Sequence, residues 1–180
     1  IADYTRICNA NQANKAFFDF ARTQYTTYVE NSHSISQTPR IPKIIHQIWL
    51  GPKEMPKGFD SWHKTWLKYN PDWEYKLWTD KDIASLPMIN KDLFDKETNY
   101  GAKSDIMRLE ILDQIGGLYI DIDFECIKSI DWIHHLCDFY VSFFQVNYLE
   151  YKEIGMSARM PNGIIASCPG HQLIKTLIKE

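Results

Sequence analysis

The chain has 180 residues, 44% hydrophobic and 14% aromatic, with a formal net charge of −3. That is enough apolar material for one substantial core, so a single domain is expected. The negative balance supplies no basic field for nucleic acid, and no apolar run approaches the roughly 18 residues of a membrane span.

The first thirty residues read as a helix, because Ala13, Ala16, Phe17, Phe20, Ala21 and Tyr28 recur near a 3.6 period. This helix is expected to pad the sheet. No signal-peptide pattern opens the sequence, which starts at Ile1 rather than Met and so leaves an upstream segment open. Asn31 to Arg40 is polar and rich in breakers, as a linker would be. Lys43 to Leu50 (KIIHQIWL), between Pro42 and Gly51-Pro52, has the pattern of a buried parallel strand. Gly58 to Tyr69 suits a helix stopped by Asn70-Pro71, and Trp73 to Trp78 alternates as a second strand. Thr79 or Asp80 is placed to cap a short helix after it. Ala102 to Ile115 is a strong helix pattern with Ser104 near its start and Gly116 at its end. Phe139 to Phe144 and Gly163 to Ser167 are further strand candidates, and a last helix opens at Pro169-Gly170-His171.

Strands alternating with helices imply a mainly parallel α/β sheet covered on both faces, with ligands at the carboxyl ends of its strands. The expected organisation is a helical extension over residues 1–38 and one α/β domain over 39–180, lacking its C-terminal part. Cys8, Cys126, Cys137 and Cys168 are scattered without a C-x-x-C, which argues against zinc and favours free thiols. The even count leaves disulfides open.

The most informative segment is Gly116-Gly117-Leu118-Tyr119-Ile120-Asp121-Ile122-Asp123. Strand alternation would put Asp121 and Asp123 on one face about 6.6 Å apart, with Ile120, Ile122 and Phe124 facing a core. Two such acids suit a hard, oxygen-seeking cation, Mn²⁺ or Mg²⁺. A polar edge strand with two solvated aspartates fits the same pattern. On the preceding helix Asp105 and Arg108 stand three apart, neighbours on one face near an N-terminus that favours anions. An ordinary surface ion pair is the bland alternative. Trp49 ends the first strand on the same rim.

His46, alone in an apolar strand, reads as a satisfied core residue, and adjacent His134 and His135 are poorly placed to chelate one metal together. Trp62, Trp66, Tyr69 and Trp73 read as packing, and Lys53, Lys57, Lys64 and Lys68 as a solvated face.

Four ordered blocks, Ile41–Gly51, Tyr69–Asp80, Ala102–Leu112 and Gly116–Asp123, resemble the glycosyltransferases with a DXD sugar-binding region. That family includes the yeast initiating mannosyltransferase, capsular sugar transferases and, more distantly, glucosylating clostridial toxins. The resemblance runs from about Ile41 to Lys175. It implies a GT-A fold, a nucleotide-sugar donor, a divalent metal (usually Mn²⁺) and transfer of a hexose with retention. By the same resemblance Trp49 stacks on the nucleotide base, Asp105 and Arg108 contact the donor sugar, and Tyr119 lies near sugar and ribose. Asp121 contacts ribose or sugar hydroxyls, Asp123 is the direct metal ligand, and Asn162 lines the donor pocket. Asp105, Arg108, Asp121 and Asp123 are thus the catalytic candidates, with Asp123 and Asp121 the metal candidates.

The acceptor implied is a glycan, a lipid or a protein. The compartments that fit are a bacterial cytoplasm, a host cytoplasm reached by secretion, or the Golgi lumen behind an upstream anchor. A glycoside hydrolase also uses two carboxylates. A catalytically inactive nucleotide-sugar-binding module would keep the same pocket. A calcium loop is disfavoured, since D-x-D-x-D-G is not completed after Asp121.

Overall fold

A computed structural model of the chain describes residues 12–27, 35–142, 144–145 and 158–180. Within the expected N-terminal helix, α1 runs Gln12–Tyr25. Phe20 and Tyr25 are exposed there, so these two rings do not pad the sheet. Residues 1–11 and 28–34 lie outside the described residues, and with them Cys8, Tyr28 and the first part of the predicted linker. No helix among the described residues is long and apolar enough to cross a membrane.

The predicted α/β order follows. It comprises β1 (Ile44–Ile48), α2 (Phe59–Tyr69), β2 (Glu74–Trp78), α3 (Lys91–Lys96), α4 (Tyr100–Gln114) and β3 (Gly117–Ile120). Then come α5 (Asp131–His134), β4 (Phe139–Val141), β5 (Phe144–Gln145), β6 (Ala158–Arg159), β7 (Ile164–Ser167) and α6 (Gln172–Lys179). The short helices α3 and α5 escaped the sequence reading, because a stretch of one turn or so carries too few residues to show a period. The cap after β2 differs from expectation. A short 3₁₀ turn spans Ile83–Ser85, and Asp82 reaches back to accept from both the backbone N–H and the hydroxyl of Thr79. Asp80 instead accepts from the Gly51 N–H. α4 starts two residues earlier than expected, capped by Asn99, which accepts from the N–H groups of Gly101 and Ala102.

The main sheet has the order β2-β1-β3-β7-β4. β1 pairs parallel with β2 and β3, while β7 runs antiparallel to both β3 and β4. Four strands therefore point one way and one opposes them, which is the mainly parallel sheet expected. Alternate residues of the strands feed two cores. Ile48, Trp78, Tyr119 and Ile165 join Met107, Ile111, Leu112, Ile174 and Ile178 under α4 and α6. Ile45, Leu118, Ile120 and Ala166 join Trp66 and Trp73 on the face covered by α2. Helices thus cover both faces. Each fully buried aliphatic side chain contributes about 1.5–3 kcal/mol to holding these layers.

The aromatic segment is packing, as expected: Trp66 and Trp73 are buried, and their indole N–H groups donate to Phe124 O and Asp131 Oδ1. His46 is a satisfied core residue. Its Nδ1 accepts from the Trp78 indole, which leaves the proton on Nε2 to donate to Gly116 O at 2.9 Å. His134 and His135 bond separate partners and do not converge. Cys126, Cys137 and Cys168 are free thiols.

Candidate donor-binding site

The glycine doublet sets up the site. α4 ends at Gln114 and β3 must start at once, in the sheet between β1 and β7. Gly116 and Gly117 make that reversal with φ of 70° and 102°, a region that costs other residues strain. A side chain on Gly117 would also strike Ile44 O at 2.7 Å, so the close approach of β1 and β3 depends on its absence.

β3 is shorter than the sequence suggested. It stops at Ile120, and Asp121 to Phe124 form a turn, with the Phe124 N–H pointing to Asp121 O at 3.4 Å. The two acids therefore do not sit side by side on one strand face, and the 6.6 Å spacing does not apply. The ladder ends because Asp121 O is taken by the side chain of Gln47, at 3.2 Å, rather than by a strand partner. Ile122 is buried as expected, while Asp123 is exposed and has no hydrogen-bond or ion-pair partner among the described residues.

Both acids still line one cleft, of about 670 Å³, at the carboxyl ends of β1 and β3. Trp49, Asp105, Arg108, Tyr119 and Asn162 line it too. All seven residues singled out from the sequence meet there, in the size range of small-molecule sites.

Arg108 is the hub. Its guanidinium is buried, with a side-chain exposure of 6%, so the pair with Asp105 is no ordinary surface ion pair. Nη2 lies 2.7 Å from Asp105 Oδ1, and Nη1 lies 3.5 Å from Asp121 Oδ1 and donates to Asn162 O. Its Cζ sits 4.2 Å from the Tyr119 ring centroid, an arrangement that favours a desolvated cation. The Tyr119 hydroxyl donates to Asp121 Oδ1 at 2.7 Å, and burial holds that phenol protonated far above its ordinary range. Asn162 closes the ring by donating from Nδ2 to Asp105 Oδ1. The Trp49 ring is half-buried, and its indole N–H donates to Lys53 O, which fixes the ring's tilt.

Several cleft residues were not singled out from sequence. Behind the cleft, Gln47 was also missed, although a lone amide buried in an apolar strand is a visible signal. Tyr100 packs over Gly51, and Lys53, exposed as expected, also borders the cleft. Lys57, Lys64 and Lys68 are exposed as expected.

Residues 56–139 match the family described as the glycosyltransferase sugar-binding region containing a DXD motif. Over those residues the chain is similar to the sugar-binding region of these glycosyltransferases. The glycosyltransferase resemblance read from the four sequence blocks is thereby borne out. An uncharacterized glycosyltransferase of Acanthamoeba polyphaga mimivirus is 32% identical over 78% of this chain and 55% of its own length. Inositol phosphoceramide mannosyltransferase 2 of Schizosaccharomyces pombe is 28% identical over 86% of this chain and 42% of its own. The chain spans about half the length of those relatives. The solved structure of the PaToxG glycosyltransferase superposes with a TM-score of 0.62 at 20% identity, covering 97% of this chain and 69% of that one. The shared GT-A-like fold is what that likeness establishes.

Proposed function

We propose that this chain holds the donor site of a metal-dependent retaining glycosyltransferase. It transfers a hexose from a UDP- or GDP-sugar to a glycan, lipid or protein acceptor. The observation that carries the proposal is the convergence of Asp105, Arg108, Tyr119 and Asp121 into one hydrogen-bonded network beside Trp49 and Asp123. The mannosyltransferase among the relatives makes mannose the first sugar to test.

In this reading Trp49 stacks on the base. Asp105, half exposed and already aligned by Arg108 and Asn162, accepts from sugar hydroxyls. Tyr119 and Asp121 face sugar and ribose. The residues present fit a hard cation. Asp123 offers an exposed carboxylate without a partner among the described residues, and Asp121 Oδ2 is not used by the network. Among the described residues no group of three His, Cys, Asp or Glu is placed to hold a metal, which limits the proposal to ions that need few protein ligands, Mn²⁺ or Mg²⁺. Such ions keep waters and take substrate phosphates beside one or two carboxylates. Bound there, the ion would neutralise charge growing on the departing diphosphate. Arg108 adds fixed positive charge in a site where burial strengthens it. No protein nucleophile is assigned, and Asp105 is given to sugar positioning.

Donor turnover measured with Mn²⁺ and then with EDTA tests the reading. Release of nucleoside diphosphate that stops on chelation is expected. Binding of UDP- and GDP-sugars without turnover would identify a binding module, and glycoside cleavage insensitive to EDTA a hydrolase.

A further inference from the structure

Gln47 is fully buried in the middle of β1, in a position where an aliphatic residue would cost nothing to bury. Both ends of its amide are used. The Tyr75 hydroxyl, on the neighbouring strand, donates to Gln47 Oε1 at 2.6 Å, and Gln47 Nε2 donates to Asp121 O at 3.2 Å. A main-chain carbonyl only accepts, which orients Nε2 toward Asp121 and leaves Oε1 for the phenol. Burial keeps the Tyr75 phenol protonated, so it stays a donor.

We propose that Gln47 is a positioning residue, whose amide ties the Asp121 carbonyl to Tyr75 and so fixes the turn that presents Asp121 and Asp123 to the cleft. The turn's own closing bond, Phe124 N–H to Asp121 O, is long at 3.4 Å, so Gln47 supplies the firmer donor to that carbonyl. The Asp121 N–H is held from the other side by Gly163 O at 2.9 Å. The main chain at Asp121 is therefore clamped between β1 and the residue before β7. Asp123, two residues on, has no hydrogen bond of its own among the described residues and takes its direction from that clamp. Only the catalytic consequence rests on the donor-site reading; the clamp itself does not.

Hydrogen–deuterium exchange of the full chain tests it, comparing the parent with Gln47→Met and Tyr75→Phe. The amides of Asp121 and Phe124, whose N–H groups donate to Gly163 O and Asp121 O, are expected to exchange about tenfold faster in Gln47→Met and severalfold faster in Tyr75→Phe. The amides of β1 and β2 should keep their protection. Unchanged turn amides in a folded variant overturn the proposal, and so does a uniform rise that includes both strands, which would mark a plain core residue. Tyr75→Phe keeps the ring and carries the test should Gln47→Met not fold. Mn²⁺ binding with inorganic pyrophosphate, followed by electron paramagnetic resonance, is the second arm. Gln47→Met should weaken it about tenfold. No Mn²⁺ binding by the parent would defeat the metal-site reading while the exchange result still judges the clamp.

Discussion

The side-chain amide of Asn162 donates to Asp105 Oδ1 at 2.8 Å across 57 residues of chain, while its backbone carbonyl accepts from Arg108. A single residue, two before β7, thus braces both members of the Asp105–Arg108 pair. Asn162→Ala removes the amide and keeps the carbonyl. In donor kinetics it should raise KM severalfold while the thermal midpoint moves little, because Asn162 is exposed. In a double-mutant cycle with Asp105→Asn, the two losses should fall short of additive, since they act on one contact.

Asp123 carries no structural duty among the described residues. Asp123→Asn should therefore leave denaturant stability within about 0.5 kcal/mol of the parent, as at other exposed sites. Turnover should fall by more than about 100-fold, the scale of losing one preorganised electrostatic contact. Parent-level turnover by that variant would end the assignment of Asp123 to the metal.

Gly163 leaves room for the Asp121 carboxylate. A Cβ there would lie 2.8 Å from Asp121 Oδ2 and 3.2 Å from the Phe124 ring. Gly163→Ala should displace Asp121 and cost about 1–3 kcal/mol, as overpacking does. Activity should fall by more than the stability loss explains, measured at a temperature where the variant remains folded.

Acid should unfold the protein partly through two buried histidines. Burial lowers both His46 and His134 to about 4. An unfolded histidine titrates near 6.5, so the unfolded chain takes up these protons first as pH falls. Their contribution to stability is intact above about pH 6.5 and drains away between there and pH 4, by at most about 1.4 kcal/mol per pH unit for each. Urea midpoints from pH 7 to 4.5 measure it. His46→Gln should remove roughly half of the slope that the two histidines contribute.

Much of this was legible in local pattern. The strand at Ile44–Ile48 stood out as an apolar run between breakers, and α4 as a long period ended by glycine. The seven site candidates were legible because each is a polar or aromatic residue in a motif, and the fold brings them to one rim. The end of β3 was not legible. Ile120 to Phe124 alternates like a strand, but its ladder stops where the Gln47 side chain, from 74 residues earlier, replaces a main-chain partner. The start of α4 was also missed by two residues, since the Asn99 cap precedes Tyr100 and Gly101, which carry little helical signal of their own.

Composition, periodicity and motif order by themselves determined the α/β class and the residue types of the cleft. These follow from hydrophobic burial and backbone preference, which act over a few neighbouring residues. Tertiary structure alone decided that Arg108 is buried, that Asp121 is held through Oδ1 and its main chain, and that Asp123 is left exposed. Those states depend on desolvation and on hydrogen bonds between distant segments, and no short stretch of chain encodes them.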